Sequence, residues 1–320
     1  MHVVIFRNVL YKFRVKGLLR LLRIFLRKFP RSTFLLNLLS FFDPNNIRRH
    51  SSISNLDLRI VSVGRSGERI FLDLNQHIDY RFFFRGYFDD LPKRLITKMG
   101  SSRDVLFIDV GANIGLISIP IALSGYETIS IEPLPHHLNR FNENLRLNPA
   151  AKLLLIQSAV GGRNYESGVK TLTIFSPPGN SGASSSDPNW NPSVDPSESY
   201  EVPLSSLDEL CGGILKTKTF TEILLKIDVE GMELEVLSGS QEVMENYRPV
   251  ILIEWKPNTK VLEKHQKLEE FLTNNSYKLR EINSSQSKIV DSDFDPHKMY
   301  ENLLLVPKES LIFPNDSFLL

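Results

Sequence analysis

The chain has 320 residues, 42% hydrophobic and 23% charged, a balance that builds a globular core and lies outside the disordered range. A single cysteine, Cys211, excludes a disulfide framework and a cysteine-built zinc site, and 17 Gly with 18 Pro exclude collagen-like or Pro-rich chains. The net charge of +1 is unevenly divided: residues 1–50 hold eleven Lys/Arg against one acid, Asp43, a net of +10, while residues 51–320 hold 27 basic and 36 acidic residues, a net of −9.

A folded body with that balance does not suit nucleic acid, which needs a basic patch on the folded surface. The basic material forms an arm, residues 1–50. Within it, Lys16, Arg20, Arg23 and Arg27 share one helical face. Leu18, Leu19, Leu22, Phe25, Leu26 and Phe29 lie away from that face, and Pro30 stops the helix. The arginines interrupt every apolar run before 18 residues, which argues against a transmembrane helix, and the lack of a clean apolar stretch with a small-residue cleavage site argues against a signal peptide. Residues 16–29 therefore pack on the domain or a partner chain, or lie in a membrane interface against anionic headgroups. An Arg-rich, acid-poor transit peptide is a third reading. Residues 34–42 (FLLNLLSFF) add a second apolar segment. The expected location is cytoplasmic, with peripheral contact at the inner membrane face.

Residues 51–103 read as a lead-in. Residues 58–64 and 69–74, joined by Arg65–Glu68, predict a β-hairpin, and residues 89–98 a helix. From 104 to 320 the pattern is α/β. The apolar runs 105–110, 128–131, 152–156, 223–228 and 250–254 alternate with helical stretches, and 277–281 and 302–306 follow a helix at 261–274. Seven strands with intervening helices make a doubly wound α/β sheet. A long loop, 162–203, breaks the alternation. It contains a strand at 170–175, and its 176–199 portion is dense in Ser, Pro, Asn and Gly, the composition of a lid or of a surface excursion.

Three motifs carry chemistry. In Asp109-Val110-Gly111-Ala112-Asn113-Ile114-Gly115 the small residues allow close approach of a ligand to a helix N-terminus. The stretch is neither G-x-G-x-x-G nor a nucleotide P-loop. Asp109 would repel a pyrophosphate and accept from an ammonium, which points to a cofactor bearing an amino acid. Glu132, before Pro133, ends the second strand 21 residues after Gly111, where an acid accepts from ribose hydroxyls. Lys226-Ile227-Asp228-Val229-Glu230-Gly231 ends the fourth strand, across the switch point from the first.

These residues closely resemble the FkbM family of S-adenosylmethionine-dependent methyltransferases: Asp109–Gly115, Glu132-Pro133, Lys226–Gly239 (KIDVEGMELEVLSG), a Gly-Asn-Ser-Gly stretch at Gly179–Gly182, and Leu207-Asp208. The resemblance covers about residues 80–306. It departs upstream, where the family's G-x-Y-E is here Gly86-Tyr87-Phe88-Asp89. It implies a class I methyltransferase (Rossmann-like) fold with seven strands in the order 3-2-1-4-5-7-6, the last antiparallel. It implies S-adenosyl-L-methionine as cofactor, with its methionine part at the Asp109–Gly115 turn. Glu132 would hold the ribose. Ser158 and Ala159 would lie near the adenine, and Asp228 near the amino group or the acceptor.

The function expected is O-methylation of a hydroxyl on a glycan, a glycolipid or a small natural product. Asp228, Glu230 and Glu254 are the candidate catalytic acids, because a hydroxyl acceptor must lose its proton. A methyltransferase fold that binds without catalysing is the alternative, and a dinucleotide oxidoreductase is opposed by Asp109 and the absence of G-x-G-x-x-G. His136 and His137 read as the start of a helix and Cys211 as a buried or loop thiol. No His/carboxylate set has metal spacing, which leaves only an oxygen-ligated magnesium site open.

Overall fold

The computed structural model describes residues 17, 20, 21, 24, 59–162, 171–177, 181–188, 198–255, 261–283, 288–292, 302–314 and 317–318. They fall into two compact units, residues 1–88 with 178–182, and residues 89–177 with 183–320.

In the first unit, β1 (Arg59–Val63) and β2 (Arg69–Asp73) form the anticipated hairpin, paired from Arg59↔Asp73 to Val63↔Arg69. The turn uses Gly67 at φ 87°. Helix α1 (His77–Arg85), which the apolar pattern had not singled out, packs on β2. Its Phe82 and Phe83 are fully buried, as are Ile70 and Leu72 of β2. Of the basic arm, Gly17, Arg20, Leu21 and Ile24 are helical and exposed. The remainder of the 16–29 helix, and residues 34–42, lie outside the described residues. Among those described, no helix is long and apolar enough to cross a membrane.

The second unit opens with α2 (Leu91–Met99), close to the predicted 89–98. Strands β3 (Val105–Val110), β4 (Glu127–Ile131), β5 (Leu154–Ile156), β9 (Glu222–Ile227) and β10 (Val250–Glu254) follow the apolar runs. So do β11 (Tyr277–Asn283) and β13 (Asn302–Pro307). Two short strands that no apolar run announces, β12 (Lys288–Asp291) and β14 (Ser317–Phe318), extend the edge. The sheet therefore has nine strands where seven were expected, in the order β14-β12-β11-β13-β10-β9-β3-β4-β5. Strands β9, β10, β3, β4 and β5 pair in parallel, and β13 runs antiparallel to both β10 and β11.

Every residue of β3 is buried, as expected of a strand covered on both faces. Leu106, Ile108 and Val110 pack with Ile223, Leu225 and Ile227 under α5 (Leu207–Thr217), α6 (Glu233–Ser238), α7 (Gln241–Tyr247) and α8 (Val261–Asn274). Strand alternation turns Val105, Phe107 and Asp109 to the opposite face, on the side of α2 and α3 (Ser118–Leu123). Pro120 sits in the first turn of α3, where its missing N–H costs little.

The segment predicted as one strand and a long loop contains more order. Strands β6 (Ala159–Val160), β8 (Ser199–Ser205) and β7 (Thr171–Phe175) form a three-stranded sheet in that order. Its core is Leu134, Ala159, Ile174, Val202 and Leu204. Residues 163–170, 178–180 and 189–197 of the loop, and with them half of the 176–199 stretch read as a lid, lie outside the described residues.

Candidate active site

The site is built at the carboxyl ends of β3, β4, β9 and β10, at the point where the sheet order reverses between β3 and β9. Gly111 leaves β3 at φ 85°. A Cβ there would fall 1.9 Å from the carbonyl oxygen of Asp228. Gly115, also at φ 85°, would bring a Cβ to 2.8 Å from the Phe141 ring. The two glycines thus allow the turn to pass beside the β9 exit and over α4 (Pro135–Leu147). Gly111 and Ala112 N–H groups donate to the Ile131 carbonyl at 3.0 and 3.1 Å, tying the turn to β4. Asn113 adopts φ 50°, a left-handed conformation that Asn tolerates better than most residues.

Asp109 and Lys226 are direct partners in the β3–β9 register. Both project to the α2/α3 face, and both are buried. Lys226 Nζ lies 3.4 Å from Asp109 Oδ1 and 3.1 Å from Asp228 Oδ2. Ser118 Oγ donates to Asp109 Oδ2 at 2.5 Å. Burial alone would lower the Lys226 pKa, but the Asp228 and Asp109 carboxylates outweigh it and hold the ammonium above its usual range. Burial pushes the Asp109 carboxyl up, against the pull of Lys226 and of the Ser118 hydrogen bond. Asp109 is fully enclosed, so the ammonium it meets here is that of Lys226. Asp228, with 24% of its side chain exposed, is the more accessible of the two carboxylates.

Asp228, Glu230 and Glu254 each bring a carboxylate oxygen within 4.8 Å of the others. Glu230 takes φ 49° and its carbonyl accepts from Ser185 Oγ at 2.7 Å, which pins a described part of the long loop to the β9 exit. Three carboxylates at this spacing could together hold an oxygen-ligated divalent cation. Lys226, whose charge is felt from Glu254 as well, already supplies one positive charge there.

Two further acids belong to this end of the sheet. Asp89 precedes α2, accepts from the Leu91 N–H at 2.9 Å, and interacts electrostatically with Lys226 and Asp228. Burial pushes its carboxyl up, opposed by the Leu91 amide and Lys226. The sequence marked it only as a departure from G-x-Y-E. Glu233, at the start of α6, accepts from the Gly231 N–H at 2.7 Å. Burial pushes it up to about 7, against that hydrogen bond and nearby Lys264.

Glu132 is buried at the end of β4. Its Oε2 accepts from the Asn113 N–H at 2.8 Å. Its Oε1 accepts from the Leu134 N–H and faces His137 Nδ1, both at 3.0 Å. The Glu132 N–H donates to the Ile156 carbonyl at 3.1 Å, bringing the end of β5 alongside. Ser158 and Ala159, just beyond, are buried. The Ser158 hydroxyl is turned to the carbonyls of Ala159 and Pro203, at 2.7 and 3.4 Å. His136 and His137 do open α4, and burial, with His137 beside it, pushes the His136 imidazole down to about 4. Cys211 is a buried thiol of α5, pushed up to about 12 by burial and Asp208.

The chain is similar to known proteins. Residues 109–279 match the methyltransferase FkbM domain. The chain is 30% identical over 182 residues to Methyltransferase sdnD of Sordaria araneosa, a match covering 47% of this chain and 66% of that protein. Among solved structures it is similar to the methyltransferase FkbM of Methylobacillus flagellatus KT, at 17% identity and TM-score 0.39, over 64% of this chain and 44% of that one. It is also similar to M. jannaschii TYW2 in complex with AdoMet, at 13% identity and TM-score 0.37, over 78% and 84% of the two chains. With the family's domain matched over more than half of its length, this chain belongs to the methyltransferase FkbM domain family.

Proposed function

We propose that this protein is an S-adenosylmethionine-dependent methyltransferase that methylates a hydroxyl on a glycan, a glycolipid or a small natural product. The observation that carries the reading is the convergence of Gly111, Glu132, Asp228, Glu230 and Glu254 at the carboxyl end of the central strands. The residues fit the donor. The turn at Gly111 has no room for a side chain, Glu132 is a buried carboxylate in reach of the turn, and Asp228 is a partly exposed anion for the methionine ammonium. Bound there, the donor supplies an electrophilic methyl group on a sulfonium.

The chain's own residues do the rest. The Gly111–Gly115 turn and Glu132 hold the nucleoside and amino-acid parts in place, and positioning supplies much of the rate of an in-line displacement. Lys226 holds the Asp228 carboxylate in place through their 3.1 Å ion pair. Glu230 and Glu254 face the acceptor side as hydrogen-bond acceptors that take its hydroxyl proton late. Asp89 adds a further carboxyl to that side. A thermal-shift comparison of S-adenosylhomocysteine with NAD tests the donor class, and stabilisation by NAD alone defeats this reading. Radiolabelled methyl transfer to envelope glycan, glycolipid and small-molecule extracts then identifies the acceptor.

The arm has a partner of its own in this reading. Leu21 and Ile24, 57% and 56% exposed on a helical segment amid the basic residues, suit an anionic membrane surface. Binding of the full chain to phosphatidylserine vesicles, weakened by salt, is the expected result. Indifference to such vesicles at low salt makes the helix a packing element.

A further inference from the structure

The buried pair of Glu132 and His137 is not accounted for by the reaction above. An ionised carboxylate offers about four acceptor positions. In Glu132 the N–H groups of Asn113 and Leu134 and the ring of His137 occupy three of them. Both side chains are almost fully enclosed, at 3% exposure for His137 and 5% for Glu132. The other ring nitrogen of His137, Nε2, is buried and makes no hydrogen bond among the described residues. The ring is therefore held by its Nδ1 contact to Glu132 and by packing against His136, at 4.4 Å between centroids, which in turn packs on Tyr200 at 5.1 Å.

We propose that His137 is a positioning residue for donor binding: by holding Oε1 of Glu132 it leaves one acceptor position, on Oε2, and so aims the carboxylate at one ribose hydroxyl and not at two. The proposal rests on the donor reading of Glu132. With His137 donating from Nδ1, Oε1 is saturated by Leu134 and His137. Oε2 accepts from the Asn113 amide of the glycine turn, which leaves it one further acceptor position. This ties ribose recognition to the conformation of residues 111–115.

A double-mutant cycle read by calorimetric binding of S-adenosylhomocysteine tests it. His137→Phe is expected to weaken binding about tenfold, the scale of one charge-assisted hydrogen bond. His137→Asn, which keeps an N–H donor near the Nδ1 position, should recover most of that loss. In a Glu132→Gln background, His137→Phe should add little. On the wild-type chain, the 2′-deoxy and 3′-deoxy analogues of S-adenosylhomocysteine should differ, only one losing affinity. Equal losses for both analogues overturn the one-hydroxyl geometry, and independent, multiplying effects of His137→Phe and Glu132→Gln overturn the positioning role. Should His137→Phe fail to fold, His137→Asn and the two analogues still decide. Wild-type affinity in Glu132→Gln alone defeats the donor reading itself, a result distinct from either of the others.

Discussion

Gly111 and Asp228 stand so close that a single added carbon on the glycine would lie 1.9 Å from the Asp228 carbonyl oxygen. The contact is backbone against backbone, so no rotamer can relieve it. Gly111→Ala must also hold φ 85°, a cost of about 1–2 kcal/mol before the clash is counted. We predict a loss of at least about 3 kcal/mol in urea unfolding, with overpacking as the second contribution. A fully stable Gly111→Ala protein would mean that the β3 turn and the β9 exit can separate.

Lys226 is a buried ammonium between two carboxylates. Removing its charge leaves Asp109 enclosed without its ion partner. Lys226→Met should destabilise the protein by about 3–5 kcal/mol. The double variant Lys226→Met/Asp109→Asn should recover much of this, because no uncompensated charge remains inside. Chemical denaturation of the two variants checks both statements.

The acids divide into donor-side and acceptor-side groups. Asp228→Asn should weaken S-adenosylhomocysteine binding about tenfold, and Glu132→Ala by at least as much. Glu254→Gln should leave that affinity within about twofold, by the small worth of a group outside the donor contacts, and lower turnover. Calorimetry requires no knowledge of the acceptor. Loss of donor affinity in Glu254→Gln would reverse the division.

Glu233 gives a pH signature. Its folded pKa, about 7, lies above the ordinary 4.5, so between those values the folded state binds a proton that the unfolded chain has released. Stability contributed by the protonated group is therefore fully present below about 4.5 and is lost as pH rises to about 7. Glu233→Gln keeps an oxygen for the Gly231 N–H and removes the titration. It should flatten that part of the stability profile and gain up to about 3 kcal/mol over wild type at pH 8. Parallel stability profiles for the two proteins from pH 4 to 8 would show that Glu233 titrates normally.

Some of this architecture is local in origin and was readable from the chain. The apolar runs at 105–110 and 250–254 became β3 and β10 because a strand buried on both faces needs uninterrupted hydrophobicity, which shows in sequence order alone. Gly111 and Gly115 announced a tight turn for the same reason, since only glycine enters such a conformation freely. The chain was silent on β8, whose residues Ser199–Ser205 alternate weakly and owe their strand to pairing with β6 and β7. The edge strands β12 and β14 are likewise too short to carry a period.

The residue types at the strand ends were therefore determined by the sequence, and their partners by the tertiary structure. Asp109 and Lys226 are 117 positions apart and meet because the β3–β9 register makes them neighbours on one face. His137 and Glu132 meet because Pro135–Leu147 turns back over the end of β4 as a helix. Asp228 and Glu254 converge because β9 and β10 run parallel and end together. Propensity and hydrophobic period act over a few residues and can be read along the chain. Register, helix docking and the burial that shifts a pKa depend on groups distant in sequence, and they exist only once the sheet has formed.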